Sequence, residues 1–380
     1  MALTLLFLLS LATAVAASFV MAMAGDGQLF AHVANSGSGD ISSFAIDPAS
    51  GSLRNVGRFE IGGTISPIAA DPAHRRLFVS VRSPSFAVAS LAIEPGGTLR
   101  AVATTPVPAS LAYLSLDATG NHLLGASYAD GLACVMRVAG DSVMPEPTAI
   151  RRSGRNAHCI VLDRSNRFAF VPALGDDVVA QYLFDALTGE LTPNRPPFVA
   201  TGPTTGPRHL ALSPDNRFAY LVTELSGEVL VFALNQETGT LAEMQRLSIM
   251  PPGSNLPPGT YEPPLNSGGG GNSPYPVIWA ADVRLTPDGK FLYASERTTS
   301  IVTVFAVDRE NGTLSFTGTV ATERQPRALA VTPDGRYLIA AGELSNHVAS
   351  YILDPVSGIP APVDRAAAGI KPNGIAILPA

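Results

Sequence analysis

Cysteine is scarce in this chain: Cys134 and Cys159 are the two found in 380 residues. So few exclude a disulfide framework as the source of stability. They fall in neighbouring sequence units and read as two buried thiols, with pairing still open at this stage. Neither has the Cys/His spacing of a zinc site. Charge is also thin, at 15 % of residues with a formal net charge of -6 and no basic block. A nucleic-acid binder needs a basic footprint, so that class is excluded. Helical spacing is poor throughout. No GxSxG elbow occurs, no dinucleotide fingerprint leads from a strand into a helix, and the "GGGG" at 268–271 lacks the Lys-Ser/Thr that would make it a phosphate loop. One long apolar run exists, at the N-terminus: "MALTLLFLLSLATAVAASFVMAMAG". Small-residue patterns end at Ala16 and Ala24, so residues 1–24 read as a signal peptide, although the usual basic leading segment is missing. A membrane anchor is the competing reading. The expectation is a periplasmic or secreted protein with no stable membrane insertion after cleavage, or a cytoplasmic one if the leader does not function.

What the chain does have is glycine and proline, 35 and 32 residues, spread along its length. That distribution marks many turns between short strands. The turns recur. "AADPAHRRLFVS", "LSLDATGNHLLGAS", "IVLDRSNRFAFVPA", "LALSPDNRFAYLVT", "VRLTPDGKFLYASE" and "LAVTPDGRYLIAAG" share one pattern, and "IAILPA" begins it again at the C-terminus. Equivalent anchors are Pro72, Ala118, Arg164, Pro214, Pro287, Pro333 and Pro379, with gaps of 46, 46, 50, 73, 46 and 46. A period in the forties with four strand-like runs per unit predicts an all-β, seven-bladed propeller of four-stranded antiparallel blades over residues 28–380. The last unit holds only a first strand, and the N-terminal segment has strands without an anchor. The two ends are therefore expected to share a blade, closing the ring. The 73-residue gap contains a Pro/Gly-rich insertion at about 251–279, read as a long loop that either covers a ligand site or decorates the surface.

A propeller names no function, so the informative residues are those that break the repeat. His74 and His122 fall in turns and are expected to face solvent. His158 in "RNAHCIVLD" and His209 in "GPRHLALS" start the first strands of adjacent units and are expected to converge. Arg208 accompanies His209, Glu224 ends a second strand, and Arg297 takes the neighbouring position one blade on. His158, Arg208, Glu224 and Arg297 form the candidate catalytic set. A neutral imidazole can take a proton from water, a carboxylate can orient it or act itself, and arginines can hold an anionic substrate and stabilise oxyanion charge. His209, Asp282, Arg284 and Arg327 are candidate substrate-binding residues, with His209 the more doubtful histidine. The bland alternative is a set of polar residues capping the channel. The carboxylates Glu224, Asp282, Glu296 and Glu343 keep a calcium site open, although no metal is expected.

The chain resembles the seven-bladed propeller lactonases, the family of bacterial 6-phosphogluconolactonase and fungal carboxy-muconate cyclase. The resemblance rests on "NAHCIVLDRSNRFAFVPALGDDVVAQYLFD", "GPRHLALSPDNRFAYLVTELSGEVLVF", "DVRLTPDGKFLYASERTTSIVTVF" and "PRALAVTPDGRYLIAAG". It implies hydrolysis or formation of a small lactone with no cofactor, and places the family's catalytic histidine, first arginine, glutamate and later arginine at His158, Arg208, Glu224 and Arg297. Three positions depart from the family's usual asparagine: Ser127, Thr223 and Glu296. A carboxylate at 296 is expected to repel an anionic sugar phosphate. The alternatives are a lactone cyclase of the carboxy-muconate type and a non-catalytic periplasmic propeller that binds a protein or small ligand. A monomer or weak homodimer is expected.

Overall fold

The computed structural model describes residues 27–71, 73, 75–261 and 275–379. The leader expected at 1–24, and His74, lie outside the described residues. The chain forms seven four-stranded antiparallel sheets arranged as the blades of a propeller. Blade two spans residues 65–106, blade three 111–152, blade four 161–200, blade five 207–248, blade six 280–321 and blade seven 326–367. Blade one is shared, as expected. The strand Pro372–Pro379 pairs with Leu29–Asn35 and forms the innermost strand, while the N-terminal segment supplies the other three.

Apolar positions alternate along the second and third strands and pack against the neighbouring blade. The core therefore lies between blades: Tyr220, Val222 and Val231 of blade five meet Val283, Leu292 and Phe305 of blade six. One wedge recurs. The glycine of an outer hairpin turn rests on the first aromatic of the preceding blade's second strand. At Gly239 (φ +69) an added Cβ would stand 2.1 Å from Phe168 Cδ1, so only glycine fits both the backbone and the contact.

This wedge corrects the expectation for His122, which is 3 % exposed rather than solvent-facing. His122 precedes Phe168 by one 46-residue period and takes the same place. A Cβ on Gly189 would meet its Cδ2 at 2.7 Å, and its ring lies edge-on to Phe184 at 5.7 Å. Burial lowers its pKa from the usual 6.5. Cys134 and Cys159 are free and buried, and burial pushes both thiols up to about 12.

Candidate functional site

The register of each blade fixes which side chains reach the channel. The innermost strand and the second strand begin and end with one pair at the same end of the blade: Ile65 with Val81, Leu111 with Ser127, Pro207 with Thr223, Ala280 with Glu296, Pro326 with Gly342 and Pro372 with Asn35. Ala157 bridges Ala173 at the same place in blade four. In six blades the register then slips, leaving the next residue of the inner strand as a bulge. Bulges re-aim side chains. Arg208 and Arg327 are such residues, and His158 holds the corresponding place in blade four. The register partner of His158 is thus Arg208, not His209. Across the pair, the residue that leaves the second strand forms another ring of positions: Ser36, Arg82, Tyr128, Leu174, Glu224, Arg297 and Glu343. All of these except Leu174 line one cavity of about 770 Å³, together with His158, His209, Asp282, Arg284 and Arg327.

Glu224 sits at the centre of the charged network. It is 2 % exposed and accepts from Arg208 Nε at 2.7 Å, Arg297 Nη2 at 2.9 Å and Trp279 Nε1 at 3.1 Å. Burial alone would push its carboxyl up. The two guanidinium groups outweigh that and hold its pKa below the ordinary value. Arg208 also donates from Nη1 to Ala281 O, while Arg297 donates to Trp279 O at 3.0 Å and to Ala280 O at 2.8 Å. The Arg297 guanidinium stacks 3.7 Å from the Trp279 ring centroid. Among the described residues, these bonds leave Arg208 Nη2 and Arg297 Nη1 without a hydrogen-bond partner. Burial pulls the Arg297 guanidinium down to about 9, with Glu224 resisting, so it stays charged at neutral pH.

The two candidate histidines meet, with ring centroids 5.1 Å apart. Their environments differ. His209 Nδ1 faces Asp282 Oδ1 at 2.8 Å, and its Nε2 lies 3.2 Å from Arg208 Nη1. A carboxylate only accepts, so Nδ1 carries the proton and Nε2 accepts from Arg208. Both nitrogens are occupied. The imidazole-orienting carboxylate is therefore Asp282 acting on His209, whereas Glu224 clamps arginines. Asp282 is in turn held ionised: burial raises its pKa, and Arg284 and His209 lower it by more. Arg284 Nε bonds Asp282 Oδ2 at 3.2 Å and Leu329 O at 2.9 Å. Among the described residues His158 has no side-chain hydrogen bond; its Nδ1 is buried without a partner there, and its ring lies 5.5 Å edge-on to Tyr128. Burial first, then Arg208 and His209, hold its pKa well below 6.5, so the imidazole is neutral at neutral pH. Arg327 pairs with Glu343 at 3.2 Å.

Glu296 corrects another expectation. Its side chain turns away from the cavity and closes the following turn, accepting from Trp279 N at 2.7 Å and from Thr299 N and Oγ1, each at 2.6 Å. It does not face a bound anion. Thr223 and Ser127 close their own turns in the same position, through Glu228 N at 2.9 Å and Asp130 at 2.7 Å. All three departures from asparagine are thus turn closures. The carboxylates weighed for calcium are also taken: Glu224, Asp282 and Glu343 by arginines, Glu296 by its turn. Among the described residues no three His, Cys, Asp or Glu side chains gather to hold a metal ion.

Sequence reasoning missed Trp279, Tyr128, Tyr113, Arg82 and Lys371, all but Trp279 in the cavity wall. Stepping back from Glu224 by the repeat gaps of 50, 46 and 46 lands on Leu174, Tyr128 and Arg82, so the signal for two of them was present. Trp279 is the chain's one tryptophan and ends the insertion. The described ends of that insertion are pinned beside Glu224: Gly259 N donates to Leu225 O at 2.9 Å and Ile278 N to Pro257 O at 2.8 Å. Residues 262–274, on which the covering-loop reading falls, lie outside the described residues. Among the described residues no helix is long and apolar enough to cross a membrane.

Comparisons with known proteins agree with this architecture. The family described as "Lactonase, 7-bladed beta-propeller" matches residues 28–377. The chain is 36 % identical to a 6-phosphogluconolactonase of Serratia proteamaculans over 74 % of this chain and 78 % of that protein. It is 34 % identical to the 6-phosphogluconolactonase of Pectobacterium carotovorum, over 74 % and 79 % of the two chains. Among solved structures, the periplasmic gluconolactonase of Pseudomonas aeruginosa superposes with a TM-score of 0.80 at 27 % identity, covering 93 % of this chain and 99 % of that one. The chain belongs to the seven-bladed β-propeller lactonase family.

Proposed function

We propose that the chain hydrolyses a sugar-type lactone of the gluconolactone class, with 6-phosphogluconolactone the first substrate to try. The observation that carries this reading is a neutral imidazole, His158, lining the same cavity as two arginines that each keep one amino group without a partner among the described residues. With its proton on Nδ1, His158 offers Nε2 as general base to a water. The water oxygen attacks the lactone carbonyl carbon while the base takes its proton. Arg208 Nη2 and Arg297 Nη1 donate to the oxygen that gains charge. The ring C–O bond then breaks, and the leaving alkoxide takes the proton back from His158, giving the open hydroxy acid. Glu224, ionised and saturated with donors, is a positioning residue: it fixes both guanidinium groups and moves no proton.

The positive balance of the cavity supports an anionic substrate. Six basic side chains line it against three carboxylates, in a chain whose formal net charge is -6. The turn-closing role of Glu296 removes the objection that it would repel a phosphate. Export through the leader at 1–24 is part of the reading, supported by the likeness to a periplasmic gluconolactonase; fractionation of expressing cells and N-terminal sequencing test it, and an uncleaved cytosolic protein would refute it. Acid release from 6-phosphogluconolactone and glucono-δ-lactone tests the chemistry. We expect turnover by the wild type and loss of about 10²-fold or more in His158→Ala. Equal rates in both proteins would refute the reading.

A further inference from the structure

The cavity has two sides. His158, Arg208, Glu224 and Arg297 come from blades four to six. Arg327 comes from blade seven, Lys371 from the segment that leads into the shared blade one, and Arg82 from blade two. In a ring of seven, blades seven, one and two lie across from blades four and five; blade seven adjoins blade six, and Arg327 is near enough to act on the charges of Arg208, Glu224 and Arg297. The reaction described above uses none of them. We propose that Arg82, Arg327 and Lys371 form an anion subsite that takes a phosphate or carboxylate carried at the end of the substrate remote from its lactone carbonyl.

Positive charge on this side outnumbers negative, three groups to one. Glu343 is the one carboxylate there, and it is already paired with Arg327 at 3.2 Å. Among the described residues, neither Arg82 nor Lys371 pairs with a carboxylate. Among the described residues the Arg82 side chain bonds the Ser110 hydroxyl, from Nε at 3.2 Å, and its backbone N donates to Thr64 O at 2.7 Å. Burial, then the neighbouring Arg327, pulls the Arg82 guanidinium down to about 10. It stays charged at neutral pH, and two guanidinium groups close enough to disturb each other favour an anion between them. Lys371 is held by its backbone rather than its side chain. Its backbone N donates to Asn346 Oδ1 at 2.9 Å, while its carbonyl accepts from Ser36 N at 3.0 Å and Ser36 Oγ at 3.1 Å. The exposed Lys371 ammonium lines the cavity rim, close enough to Glu343 to help lower its pKa, and forms no ion pair among the described residues. Both arginines are placed by the repeat itself: Arg82 leaves a second strand as Glu224 and Arg297 do, and Arg327 is the bulge residue equivalent to Arg208.

A subsite of this kind selects a doubly functional ligand, a lactone at one end and an anion at the other. It rests on the lactonase reading for the reaction, but binding of the open acid tests it separately. Calorimetry with the full chain compares 6-phosphogluconate, glucarate and gluconate, which differ in the group at the remote carbon. We expect 6-phosphogluconate or glucarate to bind at least about tenfold more tightly than gluconate, and the tighter of the two names the anion. Arg82→Gln and Lys371→Gln should each erase most of that advantage. Lys371 is exposed, so its variant tests the subsite even if the Arg82 variant fails to fold. Equal binding of all three acids, no binding of any, or an advantage that survives Lys371→Gln would overturn the subsite. Loss of turnover in His158→Ala reads on the lactonase reaction alone, so the two failures are distinguishable.

Discussion

The two faces of the disc use the same strands in opposite ways. On the face away from the cavity, the turn between first and second strands repeats its bonds blade after blade. Asp163 Oδ1 accepts from Arg167 N and Phe168 N, both at 2.8 Å; Asp117 Oδ1 accepts from His122 N at 2.8 Å. Asn216 reaches the preceding blade, accepting from Arg164 N at 3.0 Å and donating to Asp163 Oδ2 at 2.9 Å, and Asn166 repeats this on Ala118 and Asp117. On the cavity face the same strands end in Ser36, Arg82, Tyr128, Leu174, Glu224, Arg297 and Glu343. The position repeats in every blade, but no one residue type does. The far face shows what holding a ring together requires, and the near face shows what the ring is free to vary. A motif such as "SPDNRF" is therefore structural, while "GPRH" and the glutamate ending the next strand belong to the site.

This contrast can be broken at several points. The largest effect is expected from removing residues 371–380. That takes away the whole inner strand of blade one, with buried Ala376 and Leu378, and reopens the ring. The truncated chain should show no cooperative transition near the wild-type melting temperature; an unchanged melt would refute closure. Next comes Glu224→Gln, which keeps shape and removes charge. Two buried guanidinium groups then share no carboxylate, at a cost of about 3–5 kcal/mol by urea titration, and turnover should fall with it. A variant as stable as wild type would show that the clamp carries little.

A smaller effect should come from pH. His32 is buried and His209 largely so, with its side chain 12 % exposed, and desolvation lowers both to about 4 from the usual 6.5. Between those values the unfolded chain takes up protons that the folded chain refuses. Stability should be complete above pH 6.5 and decline as pH falls toward 4, by roughly 3 kcal/mol for His32 alone at full titration. Melting temperature against pH checks the sign. The smallest effect is expected on the repetitive face: Asn216→Ala loses one inter-blade stitch, about 1 kcal/mol, with lactone turnover unchanged. A large loss of turnover there would break the division between the faces.

The architecture was legible because one turn recurs at nearly constant spacing, and seven anchors with a split last unit leave little choice but a closed ring. The site was legible in part. His158, Arg208, Glu224 and Arg297 interrupt apolar strand ends, so they stand out. Side-chain direction was not. Glu296 and Arg297 are consecutive, yet one closes a turn and the other stacks on Trp279, a distinction made by the strand's last residue pointing back into its own turn. His122 looked like a turn residue because its unit is polar around it; its period partner Phe168 showed the true environment. The pairing of Asp282 with His209 spans 73 residues and joins adjacent blades, and only the packing of one blade on the next brings it about.

The account rests most directly on a neutral His158 acting as base, and the rate of 6-phosphogluconolactone hydrolysis against pH measures it. After subtraction of the spontaneous rate, kcat/KM should stay level from pH 8 down through 6.5 and decline only below it, because burial holds this imidazole well under its ordinary pKa. His158→Ala should lack that descending limb along with most of the activity. An acid limb at or above pH 6.5, or one that persists unchanged in His158→Ala, would contradict the account.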